Sequence, residues 1–431
     1  MKRISKNDHL HPRLWVGLIL VGLVGQLAWV IENMYFNVFL YNTISTDPDY
    51  IAATVSWSAV AATVTTLLVG VWSDRVGKRK IFIGLGFIIW GGTVAVFSLL
   101  TVENAARLFP AANAVTAAAI SVVVMDSVMT VFGSIANDAA FNAYVTDVTT
   151  PANRGRVESV LTTLPLISML ILFGCFDAMT QRGEWTKFFL IFGGLMALTG
   201  LLALLLLQEP ELTPHQNQGL QQFLYGLKPS VIRSHPQLYL SFTAFAVFSV
   251  AVQVFFPYLI IYLQNYLNID NYALVLGIVL ILASLVSILA GRLIDRMGKL
   301  RFVYPAGLLM LIGLLGMYFV RSSAAVTVAG LVMMSGYMLL SAALSAHIRD
   351  CTPTDKVGHF QGIRMVFAVL IPMGIGPIIG AQVIKNSSQT YWDLGVEKTL
   401  PTPNIFLAAA VVLLLLVIPL ILLRKEEKRH E

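Results

Sequence analysis

Charge is scarce in this chain of 431 residues: Asp, Glu, Lys and Arg together make up 12%, against about 25% in an average soluble protein. A globular protein of this length could not clothe its surface with so few charges, so most of its apolar area must face lipid. Cysteine is scarcer still. Cys175 and Cys351 are the only two, which excludes a disulfide framework, and neither has neighbours that suggest metal binding or a reactive thiol. The seven histidines never form His-Glu-x-x-His, which excludes the helix-borne zinc site of a metalloprotease. Asp126 and Asp138 share one helical segment, whereas an aspartyl protease needs opposed acids from different ones. No phosphate-binding loop is present, so ATP-driven transport is not expected, and no metal or cofactor is called for. The chain does not read as an enzyme. Its formal charge of +6 would suggest nucleic acid, except that the positive residues sit in short loops between apolar runs.

Those runs dominate. Hydrophobic residues make up 57% and the mean hydropathy is +0.76. A spanning helix needs about 20 mostly apolar residues. Twelve segments qualify, near 14–41, 51–73, 81–101, 112–147, 157–180, 186–207, 238–265, 272–291, 302–320, 324–348, 360–384 and 403–423. The first span is too long for a cleavable signal, so no processing is expected. With the N-terminus taken as cytoplasmic, 23 of the 29 Lys and Arg residues fall on the cytoplasmic side and 6 on the other. That asymmetry predicts a multi-pass protein of the plasma membrane with both termini cytoplasmic. The one long internal connection divides the chain into a six-span bundle (1–207), a cytoplasmic linker (208–237) and a second six-span bundle (238–431), a layout typical of transporters.

The two halves repeat one another. Gly70-x3-Asp74-Arg75-x-Gly77-Lys78-Arg79-Lys80 follows the second span, and Gly291-x3-Asp295-Arg296-x-Gly298-Lys299 follows the eighth, offset by 221 residues. The same offset places Glu32 on Gln253 and Tyr41 on Tyr262, and Asp147 and Asp350 recur after the fourth and tenth spans. The loop motif and its copy resemble the signature of the major facilitator superfamily, and with the span count the resemblance covers the whole chain. It implies an all-α membrane protein of two pseudosymmetric six-helix bundles that works as a monomer. Asp147-x6-Arg154 matches a pattern that sugar porters of this superfamily carry after the fourth span. The resemblance makes Asp74, Arg75, Gly77, Lys78, Arg79, Asp147, Arg154, Asp295, Arg296 and Gly298 gate residues of a cytoplasmic charge network. In the second half, Val357 stands where the arginine would fall. Gly77 and Gly298 would allow the chain to reverse tightly into the next span.

Polar residues inside spans are costly and therefore functional candidates. At 100° per residue, Gln26, Asn33 and Asn37 of the first span form one polar stripe, with Glu32 on its flank and Trp29 between them. In the fourth span, Asp126, Thr130, Gly133 and Asn137 share a face, and Asp138 and Asn142 the adjacent one. The seventh offers Gln253 and Tyr258, the tenth Tyr337. The only Lys and Arg within the spans, Lys187 and Arg364, sit near span ends, and a carboxylate without a cation in low dielectric relieves its charge by binding a proton. Glu32, Asp138 and Asp126 are therefore the proton-coupling candidates, and Gln26, Trp29, Asn33, Asn37, Asn137, Asn142, Gln253, Tyr258 and Tyr337 the substrate-binding candidates.

Asn137-Asp138-x2-Phe141-Asn142-x-Tyr144-x-Thr146-Asp147 resembles the end of the fourth helix in glycoside–pentoside–hexuronide cation symporters. The chain is also similar to the sucrose-type disaccharide–proton symporters. The cation symporters carry two aspartates in the second helix that build a sodium site. The second span here has Thr54, Ser56, Ser58, Thr63, Thr65 and Thr66 but no acid, which favours protons over sodium. The expected function is proton-coupled symport of a small glycoside, a disaccharide or short oligosaccharide, across the lipid bilayer. The alternatives are a proton-driven efflux antiporter for amphipathic compounds, a lysolipid–cation symporter and a membrane sensor that moves nothing.

Overall fold

A computed structural model describes residues 11–76, 78–149, 153–209, 226, 228–353, 357–387, 390–393 and 396–430. Among them, twelve helices are long and apolar enough to cross a membrane: α1 (Pro12–Thr43), α2 (Pro48–Val69), α3 (Arg79–Leu99), α4 (Ala114–Val148), α5 (Arg156–Gln181), α6 (Trp185–Leu206), α7 (Pro236–Tyr266), α8 (Tyr272–Ala290), α9 (Lys299–Phe319), α10 (Ser323–Cys351), α11 (Gly362–Asn386) and α12 (Asn404–Glu427). The spans expected from hydropathy are all found. The chain is a multi-pass, all-helical membrane protein; among the described residues the one exception is a small hairpin, β1 (Thr390–Asp393) paired antiparallel with β2 (Val396–Thr399), between α11 and α12.

The chain divides into two compact units, Met1–Phe39 with Ala61–Leu220, and Leu40–Val60 with Gln221–Glu431. In the first unit, α3 and α6 press together at a seam of small residues. A side chain added at Gly91 would strike the backbone of Gly193 and Ala197, the close approach that glycine permits between membrane helices. Phe36, Phe97, Trp185, Phe188, Phe189 and Phe192 fill the space beside it with ring centroids 4.1–6.0 Å apart. Apolar side chains of α3 (Ile81, Leu85, Ile89) and α6 (Leu190, Leu198, Leu201) are exposed, the face such helices turn to lipid.

The second unit uses the same device. Gly313 and Gly336 bring α9 and α10 together against Met333 and Met310, and Gly376 and Gly380 bring α11 against α7. The segment 40–60 groups with this unit although it belongs to the first half of the repeat. Side-chain bonds explain the grouping. Tyr41 donates to the Thr399 carbonyl at 2.5 Å, and Lys385 pairs with Asp47 at 3.3 Å and with Asp49. Pro377 lies inside α11 and has no N–H for the carbonyl four residues earlier. That carbonyl, of Met373, accepts from the Ser56 hydroxyl at 3.2 Å instead.

Candidate functional site

In the first unit α1 and α4 run side by side, and three contacts mark their register. A side chain at Gly25 would collide with the Asn137 amide, one at Gly133 would lie 3.0 Å from the Trp29 ring, and Glu32 meets Thr130. Gly25 and Gly133 thus let the polar stretches of both helices lie in contact. Trp29 packs tilted against Trp90 of α3 with ring centroids 5.0 Å apart, and Trp90 also touches Phe87 at 5.3 Å.

Both stretches depart from α-helix. Ile31–Tyr35 and Ser134–Phe141 are π-helical, with i→i+5 bonding that holds an extra residue and recurs at functional sites. The wide turn in α1 breaks the 100° step on which the polar stripe was expected. Asn37 is fully buried, while Gln26, Trp29 and Asn33 stay partly exposed. Asn33 donates to the Trp29 carbonyl at 2.7 Å and Asn37 to that of Asn33 at 2.9 Å. The buried Asn37 Oδ1 has no partner among the described residues.

The three acids have different surroundings. Glu32 is 6% exposed; its Oε1 is 2.8 Å from the Thr130 hydroxyl, and its Oε2 is buried without a partner among the described residues. Asp138 is partly exposed and accepts from Ser134 at 3.2 Å and Asn137 at 3.3 Å. Asp126 is fully buried and neither carboxylate oxygen finds a partner among the described residues. Asn142 is exposed and donates to the Asp138 carbonyl at 3.1 Å. Glu32 and Asp138 are thus held by hydroxyl and amide donors alone. A further buried acid, Asp177 of α5, was not among the candidates. It accepts from Tyr35 at 3.0 Å and from Gln181 at 2.6 Å. Its place near the end of an otherwise apolar span was the available signal.

At the loop end of this unit, buried Arg79 donates through Nε to Asp147 at 3.0 Å. The backbone N–H groups of Arg79 and Lys80, free at the start of α3, donate to the Glu209 carboxylate, an acid well placed at a helix N-terminus. Tyr144 donates to the Gln208 carbonyl at 2.9 Å. Gln208 and Glu209, expected in the linker, therefore belong to the packing of the unit. The second unit has a matching ion pair between Lys299 and Asp350. Gly298 turns the chain with φ of +84°, as the motif predicts, and Lys78 and Arg296 are exposed. Gly77 lies outside the described residues, as do the side chains of Asp74, Arg75, Arg154 and Asp295.

In α7, Pro257 interrupts the helix with a 3-10 turn, Phe256–Tyr258. Tyr258 is fully buried and its hydroxyl donates to the Pro377 carbonyl at 2.9 Å, with Pro48 O at 3.3 Å. Gln253 is partly exposed where α11 crosses at Gly376, and Tyr337 packs on Phe248 at 5.6 Å.

The model of the Major Facilitator Superfamily matches residues 14–370 and 274–431. The chain belongs to the major facilitator superfamily. It is accordingly a secondary transporter with a small-molecule substrate, not an enzyme. Among solved structures, the nucleoside transporter NupG superposes with a TM-score of 0.69 at 14% identity, covering 96% of this chain and 99% of that one. A bacterial homolog of the human lysosomal transporter Spinster, inward-facing and unoccupied, gives 0.68 at 15%, covering 96% of each chain. The xylose transporter XylE from E. coli, in a partially occluded inward-open conformation, gives 0.63 at 14%, covering 94% of this chain and 97% of that one. At such identities the likeness shows the shared fold. No curated protein sequence matches the chain. Within this superfamily fold, the α1–α4 contact brings acids, amides and aromatic rings together.

Proposed function

We propose that this transporter carries a small glycoside, a disaccharide or short oligosaccharide, into the cell together with protons, across a plasma membrane with both termini on the cytoplasmic side. One observation carries the reading. Glu32 and Asp138 lie in wide turns of two contacting helices and meet hydroxyl and amide donors but no cation. An acid so placed can hold a proton and release it without losing a fixed partner. The absence of any acid from residues 51–69 of the second span, beyond Asp49 at its start, supports protons over sodium. Beside the acids, Gln26, Asn33 and Asn142 supply amides for sugar hydroxyls, and the Trp29 ring supplies a flat face for the apolar side of a pyranose. Asp126, fully buried one turn before Thr130, is a further proton site. Two of the solved neighbours are named for polyhydroxylated cargo, nucleosides and xylose. The test is uptake of labelled disaccharides into proteoliposomes under a pH gradient and, separately, a sodium gradient. The pH gradient is expected to drive accumulation, and Glu32→Gln to abolish the uphill component while leaving exchange. Accumulation driven by sodium alone, or undiminished uphill uptake by Glu32→Gln, would overturn the reading.

A further inference from the structure

Thr130 stands where two acceptors compete for one proton. Its Oγ1 lies 2.8 Å from Glu32 Oε1 and 2.8 Å from the Asp126 carbonyl oxygen one turn earlier in α4. A hydroxyl has one proton to donate and lone pairs to accept with, so it cannot serve both partners at once. Two bonding patterns fit the same heavy-atom positions. With Glu32 ionised, Thr130 donates to the carboxylate, a charge-assisted bond. With Glu32 protonated, the carboxyl O–H donates to Oγ1, and the threonine proton turns back to the Asp126 carbonyl. Each pattern gives Glu32 Oε1 and the Thr130 hydroxyl proton a partner, and the only proton gained or lost is the one on Glu32.

Resting on the reading of Glu32 as the coupling acid, we propose that Thr130 is a two-way hydrogen-bond switch that reports the protonation of Glu32 to α4. The consequence for the helix is physical. A threonine that bonds back to the carbonyl four residues earlier bends its helix slightly. Thr130 does so only in the protonated pattern, four residues before the π segment that carries Asp138. Arrival of a proton on α1 is thereby converted into a change of curvature in α4, just ahead of the second acid. Thr130 is a positioning residue that acts through Glu32 and need not touch the transported solute.

Few other charges bear on the switch. Asp126 and Asp138 face it from α4. The span of α1 from Leu14 and that of α3 from Ile81 contain no other ionisable acid or base except tyrosine. Asp177 of α5 is engaged by Tyr35 and Gln181, and Lys187 of α6 is exposed and paired with Glu184.

Infrared difference spectroscopy on the full-length protein in lipid nanodiscs, stepped in pH, tests this without any substrate. Glu32→Gln removes, and so assigns, the C=O stretch of the protonated carboxyl. In Thr130→Val the band is expected at higher wavenumber, because the acid has lost its hydroxyl partner. Its titration midpoint should be displaced by about one pH unit, the scale of one hydrogen bond to a charged group. Thr130→Ser, which keeps the hydroxyl, should restore both, and Thr130→Ala replaces the valine variant should that fail to fold. A band and midpoint unchanged in the hydroxyl-free variant would overturn the switch while leaving proton coupling standing. A wild-type protein in which no Glu32-dependent band titrates would overturn the coupling reading itself.

Discussion

The contact of α1 with α4 tolerates nothing larger than hydrogen at Gly133. A Cβ built there would lie 2.8 Å from two atoms of the Trp90 indole and 3.0 Å from Trp29. Ordinary carbon contacts begin near 3.5 Å, so the rings would have to retreat by roughly 0.5–0.7 Å. Trp90 has no free room, being fully buried and wedged between Trp29 and Phe87. Overpacking of this kind costs about 1–3 kcal/mol, offset by at most about 1 kcal/mol from the better helix propensity of alanine. Gly92, two residues from Trp90 in sequence, is the control, since a Cβ there meets nothing within 4 Å. Thermal denaturation in detergent should show Gly133→Ala melting below wild type and Gly92→Ala at or slightly above it. Gly133→Ala should also transport poorly, because moving Trp29 displaces the turn that carries Glu32. If Gly133→Ala melts with Gly92→Ala, the close helix contact, and the site built on it, is wrong.

Three further outcomes are expected. Arg79→Gln leaves Asp147 without the cation 3.0 Å away and should lower stability by about 2–4 kcal/mol, with partial recovery in an Arg79→Asp, Asp147→Arg exchange; thermal midpoints read both. Tyr258→Phe removes the bond to the Pro377 carbonyl and should cost about 1 kcal/mol, which a denaturation series would measure without a gross change of fold. Lys385→Ala removes pairs that are 37–51% exposed, so stability should fall by less than about 1 kcal/mol, and the difference from wild type should vanish in high salt.

Much of the architecture was legible because the bilayer enforces it. Apolar runs of spanning length, the Asp-Arg-x-Gly-Lys loop and its copy suffice to place twelve helices, since a continuous apolar run of about 20 residues satisfies its own backbone in lipid as a helix. The meeting of Glu32 with Thr130 was less legible. A helical wheel with a constant step puts Asn37 in line with Gln26, but the wide turn at Ile31–Tyr35 intervenes, and nothing in the residue types Ile-Glu-Asn-Met-Tyr announces it. Glu209 falls in the long connection after the sixth apolar run, yet its carboxylate caps α3 across 129–130 residues of sequence. Such long-range capping leaves no local pattern. Asp177 escaped notice for the opposite reason: a single acid near a span end looks like a boundary residue until its partners are known.

The wide turn in α1 also has a consequence for how this helix tolerates length changes. Excising one residue between Ile31 and Tyr35 would not sever the helix. It would let the helix run on as an uninterrupted α-helix with both flanks still aligned, because the wide turn is what absorbs the extra residue. Asn37 would keep its enclosed position, and the end that carries Tyr41 its alignment with Thr399. A one-residue deletion in the regular part of the span would instead swing everything beyond it by about 100°, the rotation one residue contributes; here it would only remove the slack.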